Sequence, residues 1–533
     1  MLSRSFLTPQ DSQDLLAYTP MFHARMFTDT PKYRESHFQP IRTSIPSPPD
    51  PYHTSQYTQA DQYLDGNTQL DRPLFVQFCA NDPDELLAAA RHVQPWCDAV
   101  DLNLGCPQGI ARRGHYGSFL QEDWALIYKL INNLHKNLDI PITAKMRILD
   151  TKEKTLDYAK MILSAGASIL TVHGRQRHQK GHNTGLADGS GLRYLRENHP
   201  PDTVLFANGN ILRNENIHKC LEITGADGVM SAEGNLYDPT IFAKPPPPGH
   251  DTREYWTDRN GRGGYRMDAV LRRYMDIIHR YVLGQEPPQR KPLFLPTDAP
   301  TDDQISQPEL HNQLKRPADF DNEADNDVDN DAPEQDAEGP APTKKQKQAK
   351  SERRKAAKQE KCTSPNLVSM QAHLFHMLRP LVSKHTAVRD ALARSRAGDI
   401  AAFENVLAMV EEAVKQGLLE HAAAENEGPN TEVPEPVLEV DPSQDETSVA
   451  TVAWCKRPWF ICQPYVRPLP KEAYEKGSLQ LTKKEKAKLE RERELADDVA
   501  RQPQGTVEEE KLGNTNDPDA PTVEVAKEGL VCG

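Results

Sequence analysis

Seven short apolar runs, most of them separated by amphipathic stretches, constrain this chain more than any other feature. They are LLAYTPMF (15 to 22), PLFVQFCA (73 to 80), AVDLNLGCP (99 to 107), IPITAKMRI (140 to 148), SILTVHGR (168 to 175), VLFANGN (204 to 210) and DGVMSAEG (227 to 234). Helical periodicity lies between them near Asp84 to His92, Trp124 to Leu138, Thr155 to Ala165, Gly191 to Glu197 and Asn214 to Ile223. Such alternation predicts parallel strands joined by crossover helices, an α/β class. Short loops, and polar or glycine residues at the C-terminal end of each strand, favour a closed (β/α)8 TIM barrel. A doubly wound sheet would gather those residues at one switch point.

The barrel pattern fills residues 1–248, with a Pro-, Ser-, Asp- and Gln-rich surface insertion expected at 43–71. A helical domain is predicted over 249–290 and 365–423, where Leu374, Leu378 and Leu381, then Phe403, Leu407, Val410 and Val414, recur at three- and four-residue spacing. Between its halves, 291–364 carries an acidic run, Asp319 to Glu338, and then a basic run, Lys344 to Lys361, and neither can bury a core. Residues 424–533 read as a largely disordered tail with one apolar and aromatic island, 454–470, expected to dock on the folded body, and a charged helix from Lys483 to Leu495. The net charge of −14 argues on its own against a nucleic-acid or membrane-surface protein, but local clusters can override a total. Arg266, Arg272 and Arg273, and Arg379, Lys384, Arg389, Arg394 and Arg396, could track phosphates. Eight scattered cysteines without a CxxC pair fit neither a secreted disulfide scaffold nor a zinc site, so no metal is expected. No apolar run is long enough to span a membrane, and a soluble intracellular protein, cytoplasmic or nuclear, is expected.

Cys106 is the sharpest chemical candidate. An isolated cysteine is most often a small buried apolar residue, but this one directly follows a strand and opens a loop crowded with Arg112, Arg113, Gly114, His115 and Gly117. Nucleophilic catalysis would use the thiolate, whereas general-acid work needs the protonated thiol beside an acceptor carbon. Lys145 in TAKMR would present a cation to the barrel mouth if it points inward. His173 lies at a strand end, and Gln77, inside an apolar strand, needs a hydrogen-bond partner. FANGNI (206 to 211) and MSAEGN (230 to 235) place glycine turns on the last two strands, where such barrels bind phosphate.

Together YTPMFHARMF, PLFVQFCANDP, DLNLGCPQGIARRGHYGSFL, ITAKMRI, TVHGR, FANGNI and MSAEG resemble the flavin-dependent tRNA-dihydrouridine synthases, in particular the eukaryotic class acting at positions 16 and 17 of the D-loop. RRYMDIIHRYV, QAHLFHMLRPLVSKH and CQPYVRPLPK are similar to the C-terminal parts of that class. The resemblance implies an FMN-holding barrel and a helical domain that grips tRNA. It implies NADPH as electron donor, hydride delivery to C6 of a flipped uridine, and a cysteine that protonates C5. Cys106 matches the proton donor. Gln77, Lys145, His173, Asn208, Gly209, Asn210, Ala232, Glu233 and Gly234 match FMN-contacting positions, and Asn103 and Arg175 are assigned to the substrate.

No obligatory protein partner is evident. The competing readings are another FMN barrel oxidoreductase acting on a free pyrimidine, and a non-catalytic RNA-binding relative. One departure stands out: only MLSRSFLTPQDSQD precedes the first run, too little for the first strand and helix that the resemblance implies. A start roughly 25 to 45 residues upstream, one strand-loop-helix unit, is therefore expected.

Overall fold

Strands β1 (Ala17–Tyr18), β2 (Phe22–His23), β3 (Leu74–Cys79), β4 (Ala99–Leu104), β5 (Ile142–Arg147), β6 (Ile169–His173), β7 (Val204–Asn208) and β8 (Gly228–Met230) form one wholly parallel sheet in the computed structural model. It describes residues 1–42, 62–247, 252–259, 261–298, 362, 364–426 and 448–475. Every predicted run supplies a strand. The run 15 to 22 supplies two, both pairing with β3, because Pro20 between them has no N–H to donate to a ladder. The path runs β1-β3-β4-β5-β6-β7-β8, and β1 and β8 have no further strand partner among the described residues. The turn Ser3–Phe6 reaches toward both ends. Ser3 Oγ donates to Asn235 Oδ1 at 3.0 Å, and the Arg4 guanidinium donates to the carbonyls of Leu15 at 2.7 Å and Pro73 at 2.9 Å.

Strand periodicity explains where the chemistry lies. Val76, Phe78, Val100, Leu102, Ala144, Met146 and Leu170 belong to the core that also buries Leu86, Ile127, Leu130, Tyr158 and Ile162 of the crossover helices. The alternating positions Gln77, Asp101, Asn103, Thr143, Lys145, Arg147, Thr171 and His173 therefore share the opposite, concave face. Asp82, Asp123, Thr151 and Asp188 cap the following helices by accepting from backbone amides of the first turn, each contributing about 1 kcal/mol.

Within the expected insertion, 43–61 lies outside the described residues, and 62–71 is packed rather than a solvated loop. Leu64 is buried, Gly66 N donates to Asp71 Oδ2, and Asp71 pairs with Arg4. The expected acidic and basic runs and the charged helix of the tail also lie outside the described residues.

Two compact units divide the chain: Met1–Leu293 with Thr363–Gly533, and separately Phe294–Cys362. In the second, Leu295 N donates to the Asp298 carboxylate and closes a turn. In the first, helices Met267–Ile277, Pro365–Met377, Arg379–Lys384, Thr386–Arg394 and Ile400–Asn426 bury all seven periodic residues named above. The expectation that Arg266, Arg272 and Arg273 track phosphates is corrected. Arg266 is buried on Asp268, Arg272 pairs with Glu411 and Arg273 with Glu254. Exposed Arg394 and Arg396 make no ion pair among the described residues. The island at 454–470 buries Cys455, Phe460, Ile461 and Cys462, with Met267 N donating to Phe460 O and Cys462 N to Tyr265 O, both at 2.9 Å.

Candidate active site

Cys106 lies two residues beyond β4, on a loop held from several directions. Asn103 Oδ1 accepts from Gly105 N at 3.1 Å and from Cys106 N at 2.9 Å. Ser118 donates twice to Cys106 O, through N at 3.1 Å and Oγ at 2.9 Å. Arg147 Nε donates to Gly105 O at 2.7 Å. Gly117 sits at φ +63°, and a Cβ there would stand 2.9 Å from Cys106 O and 3.0 Å from Cys106 Cβ, so glycine lets the returning loop press against the cysteine. Cys106 stays partly exposed and packs against Cys79, Ala111 and Tyr116. Burial pushes the Cys79 thiol and the Tyr116 phenol each up to about 12. Neither neighbour can serve as a base near neutral pH, an environment suited to a thiol that gives a proton to something bound in front of it.

Lys145 points to the same face, opposite Asn103 in the strand register. Its ammonium makes no hydrogen bond or ion pair among the described residues. Burial lowers it to about 8, with Arg147 repelling and Asp101 opposing that fall. Most of it is still charged at neutral pH. His173 is held well below the usual imidazole range by burial and then by Lys145, Arg147 and Arg175. It is therefore neutral, and its Nε2, 3.2 Å from Arg175 Nη1, is the acceptor. Arg175 is itself buried, donating to Gly185 O and, at 2.6 Å, to Asn210 Oδ1, so it clamps β6 to the turn after β7.

That turn carries Gly209 at φ +120° and Asn210 at φ +60°. A Cβ on Gly209 would stand 2.7 Å from Ala187 Cβ and 3.2 Å from the His173 ring. Asn208 Nδ2 donates to Met230 O at 2.8 Å, and Ser231 Oγ donates to Ile211 O at 3.1 Å, which joins the two glycine turns. Ala232 is exposed, and Gly234 is buried with Ile211 O where a Cβ would be. The Glu233 carboxylate is taken by Arg467.

The structure thus gathers Gln77, Asn103, Cys106, Lys145 and His173 on the concave face, and brings Asn208, Gly209, Asn210, Ala232 and Gly234 to the joined turns at the ends of β7 and β8. Asp101, Thr143 and Arg147 were not singled out from the sequence, although all three carry polar atoms inside apolar strands, the signal that had marked Gln77. Asp101 is fully buried, and burial raises its carboxyl to about 6 against hydrogen bonds from Thr143 and Gln77. An uncommitted ammonium, a cationic face and a glycine cradle fit a planar, phosphorylated, anionic cofactor such as FMN. Among the described residues, no cluster of His, Cys, Asp and Glu could hold a metal ion, and no helix is long and apolar enough to cross a membrane.

Comparison with known proteins gives a match of residues 4–281 to the family model described as Dihydrouridine synthase (Dus). A Saccharomyces cerevisiae protein named tRNA-dihydrouridine(16/17) synthase, NAD(P)(+), is 52% identical over 263 residues, covering 49% of this chain and 54% of that protein. The protein of the same name from Schizosaccharomyces pombe is 36% identical over 455 residues, covering 85% of this chain and 82% of its own length. A Mus musculus protein with that name and the suffix -like is 41% identical over 243 residues, 46% of each chain.

Proposed function

The chain belongs to the dihydrouridine synthase family, and on that premise we propose that it reduces uridine to 5,6-dihydrouridine in the D-loop of tRNA, at positions 16 and 17, with FMN in the barrel and NADPH as electron donor. The observation that carries this reading is the Cys106 thiol, partly exposed on a braced loop beside the Lys145 ammonium, on the face where the glycine turns also lie.

When bound, FMN supplies the hydride that reaches C6 of the base. Cys106 holds the proton for C5 on its Sγ, and the bonds to its flanking backbone keep that sulfur in place. Asn103 spends its side-chain oxygen on the loop amides and its Nδ2 on Gln77 Oε1, so it orders the wall against which the base rests. Lys145 offers the cation for an anionic ring edge, and neutral His173 a ring N–H. The glycine turns offer close backbone approach to a phosphate. A uridine inside folded tRNA must leave its stack to reach this face, and exposed Arg394 and Arg396 are candidates for holding the backbone meanwhile.

Purified protein, an unmodified tRNA transcript and NADPH test the reading, with dihydrouridine located by mass spectrometry of nuclease fragments. Product at 16 and 17 is expected. A protein that binds no flavin, or that reduces free pyrimidines and leaves tRNA untouched, would overturn it.

A further inference from the structure

Asp101 is used by no step above, yet it anchors an unbroken line of hydrogen bonds ending at the Cys106 loop. Thr143 Oγ1 donates to Asp101 Oδ1 at 2.7 Å, and Gln77 Nε2 donates to Asp101 Oδ2 at 2.8 Å. Gln77 Oε1 then accepts from Asn103 Nδ2 at 2.8 Å, and Asn103 Oδ1 accepts from the amides of Gly105 and Cys106. Asp101 and Thr143 are fully buried and Gln77 is 8% exposed, so water cannot substitute freely from Thr143 to Gln77, while Asn103 at the loop end is half-buried.

The direction of every bond follows from one residue. A carboxylate only accepts, whereas each amide has one accepting and one donating end and can be turned by half a rotation. With an acceptor fixed at Asp101, Gln77 must present Nε2 to it and Oε1 to Asn103. Asn103 must then turn Nδ2 to Gln77 and leave Oδ1 for the two backbone amides. If the order reversed, Asn103 Nδ2 would face two N–H donors and the loop would lose both bonds. We propose that Asp101 is a positioning residue whose carboxylate sets the orientation of Gln77 and Asn103 and thereby holds the Cys106 thiol at the barrel mouth. The inference rests on the reading of Cys106 as proton donor, but the hydrogen-bond order can be measured without turnover.

A charge swap tests it. Asp101→Asn offers one acceptor where two stood and lets its amide face Gln77, reversing the line. The double variant Asp101→Asn with Gln77→Glu restores the order, because the carboxylate introduced at position 77 accepts both from the amide introduced at position 101 and from Asn103. Hydrogen exchange of the Gly105 and Cys106 amides, in protein without tRNA, reads the line directly. Exchange is expected to accelerate at least tenfold in Asp101→Asn and to return to within threefold of the parent in the double variant. With FMN bound, single-turnover uridine reduction by the pre-reduced protein should fall fivefold or more in Asp101→Asn, at unchanged tRNA affinity, while the double variant is read by amide exchange alone because position 77 faces the cofactor. Unchanged exchange in Asp101→Asn, or fast exchange that the double variant does not restore, would overturn the proposal. Absence of uridine reduction by the parent protein alongside the expected exchange pattern would instead count against the proposed function and leave the positioning role standing.

Discussion

Arg467 and Glu233 are joined by an ion pair, Nη2 to Oε1 at 2.5 Å, linking the C-terminal segment to the first residue of the short helix after β8. Each side chain is more than a third exposed, so the pair contributes little to global stability, under about 1 kcal/mol. Its effect is local, because Glu233 sits between exposed Ala232 and buried Gly234 in the second glycine turn. Arg467→Ala is expected to shift the melting temperature by no more than about 2 °C and to weaken FMN binding by about three- to tenfold, the net size of one ordinary hydrogen bond. Fluorescence titration checks this; unchanged affinity would remove the segment from the cofactor site.

Gly117→Ala adds a Cβ at positive φ against Cys106 O. Strain of about 1 to 3 kcal/mol is expected, with the loop displaced rather than the barrel. Uridine reduction should fall at least tenfold while bound FMN stays near one per chain, read by absorbance and by product formation on the same sample.

Arg266 and Asp268, both 2% exposed at the side chain, are a buried pair. Asp268→Ala removes the carboxylate that balances a buried guanidinium and leaves that charge uncompensated, although Arg266 still donates to Arg253 O, and about 3 to 5 kcal/mol of stability should be lost in urea unfolding. A loss below about 1 kcal/mol would mean that the site is open to water.

These particulars mark how far the sequence could be read. The strands of the parallel sheet were legible because each is a short, mostly apolar run bounded by polar or glycine residues. The antiparallel pair Tyr255–Thr257 and Gly263–Tyr265, inside 249–290 where only helix was expected, was not, since three-residue strands among Asp, Arg and Gly show no apolar run. Cys106 and the glycine turns were legible because they break those runs at one end. Asp101 was not, since its meaning lies in contacts with Gln77, 24 residues away, and Thr143, 42 residues away, and register between strands is not written in either strand alone. Arg266 was misread as a phosphate contact because an arginine on an amphipathic helix looks solvated; its neighbour Asp268 was the available sign of burial. The segment 62–71 was misread because polar composition hid Leu64 and the turn around Gly66, where a Cβ would overlap Trp96 O.

Burial holds the Lys145 ammonium at about 8 in the folded protein, against 10.5 when unperturbed. Between those values the unfolded chain keeps a proton that the folded one has shed, so the Lys145 contribution to flavin-free stability is best above about 10.5 and is lost as pH falls through about 8. Binding an anion needs the charged form, so FMN affinity should run the other way and weaken as pH rises through about 8. Lys145→Met should flatten both dependences, measured as differences from the parent in melting and titration series from pH 6 to about 10. A parent and variant with the same pH slopes would exclude this role.

Cys106→Ala tests the central claim most directly, by following flavin reduction with NADPH and dihydrouridine formation in tRNA on one enzyme preparation. The expected result is a variant that binds FMN and accepts electrons at a rate within about twofold of the parent but makes dihydrouridine at least 100-fold more slowly, the scale of a lost general acid. Dihydrouridine formed at near the parent rate by Cys106→Ala would contradict the assignment of the proton to this thiol.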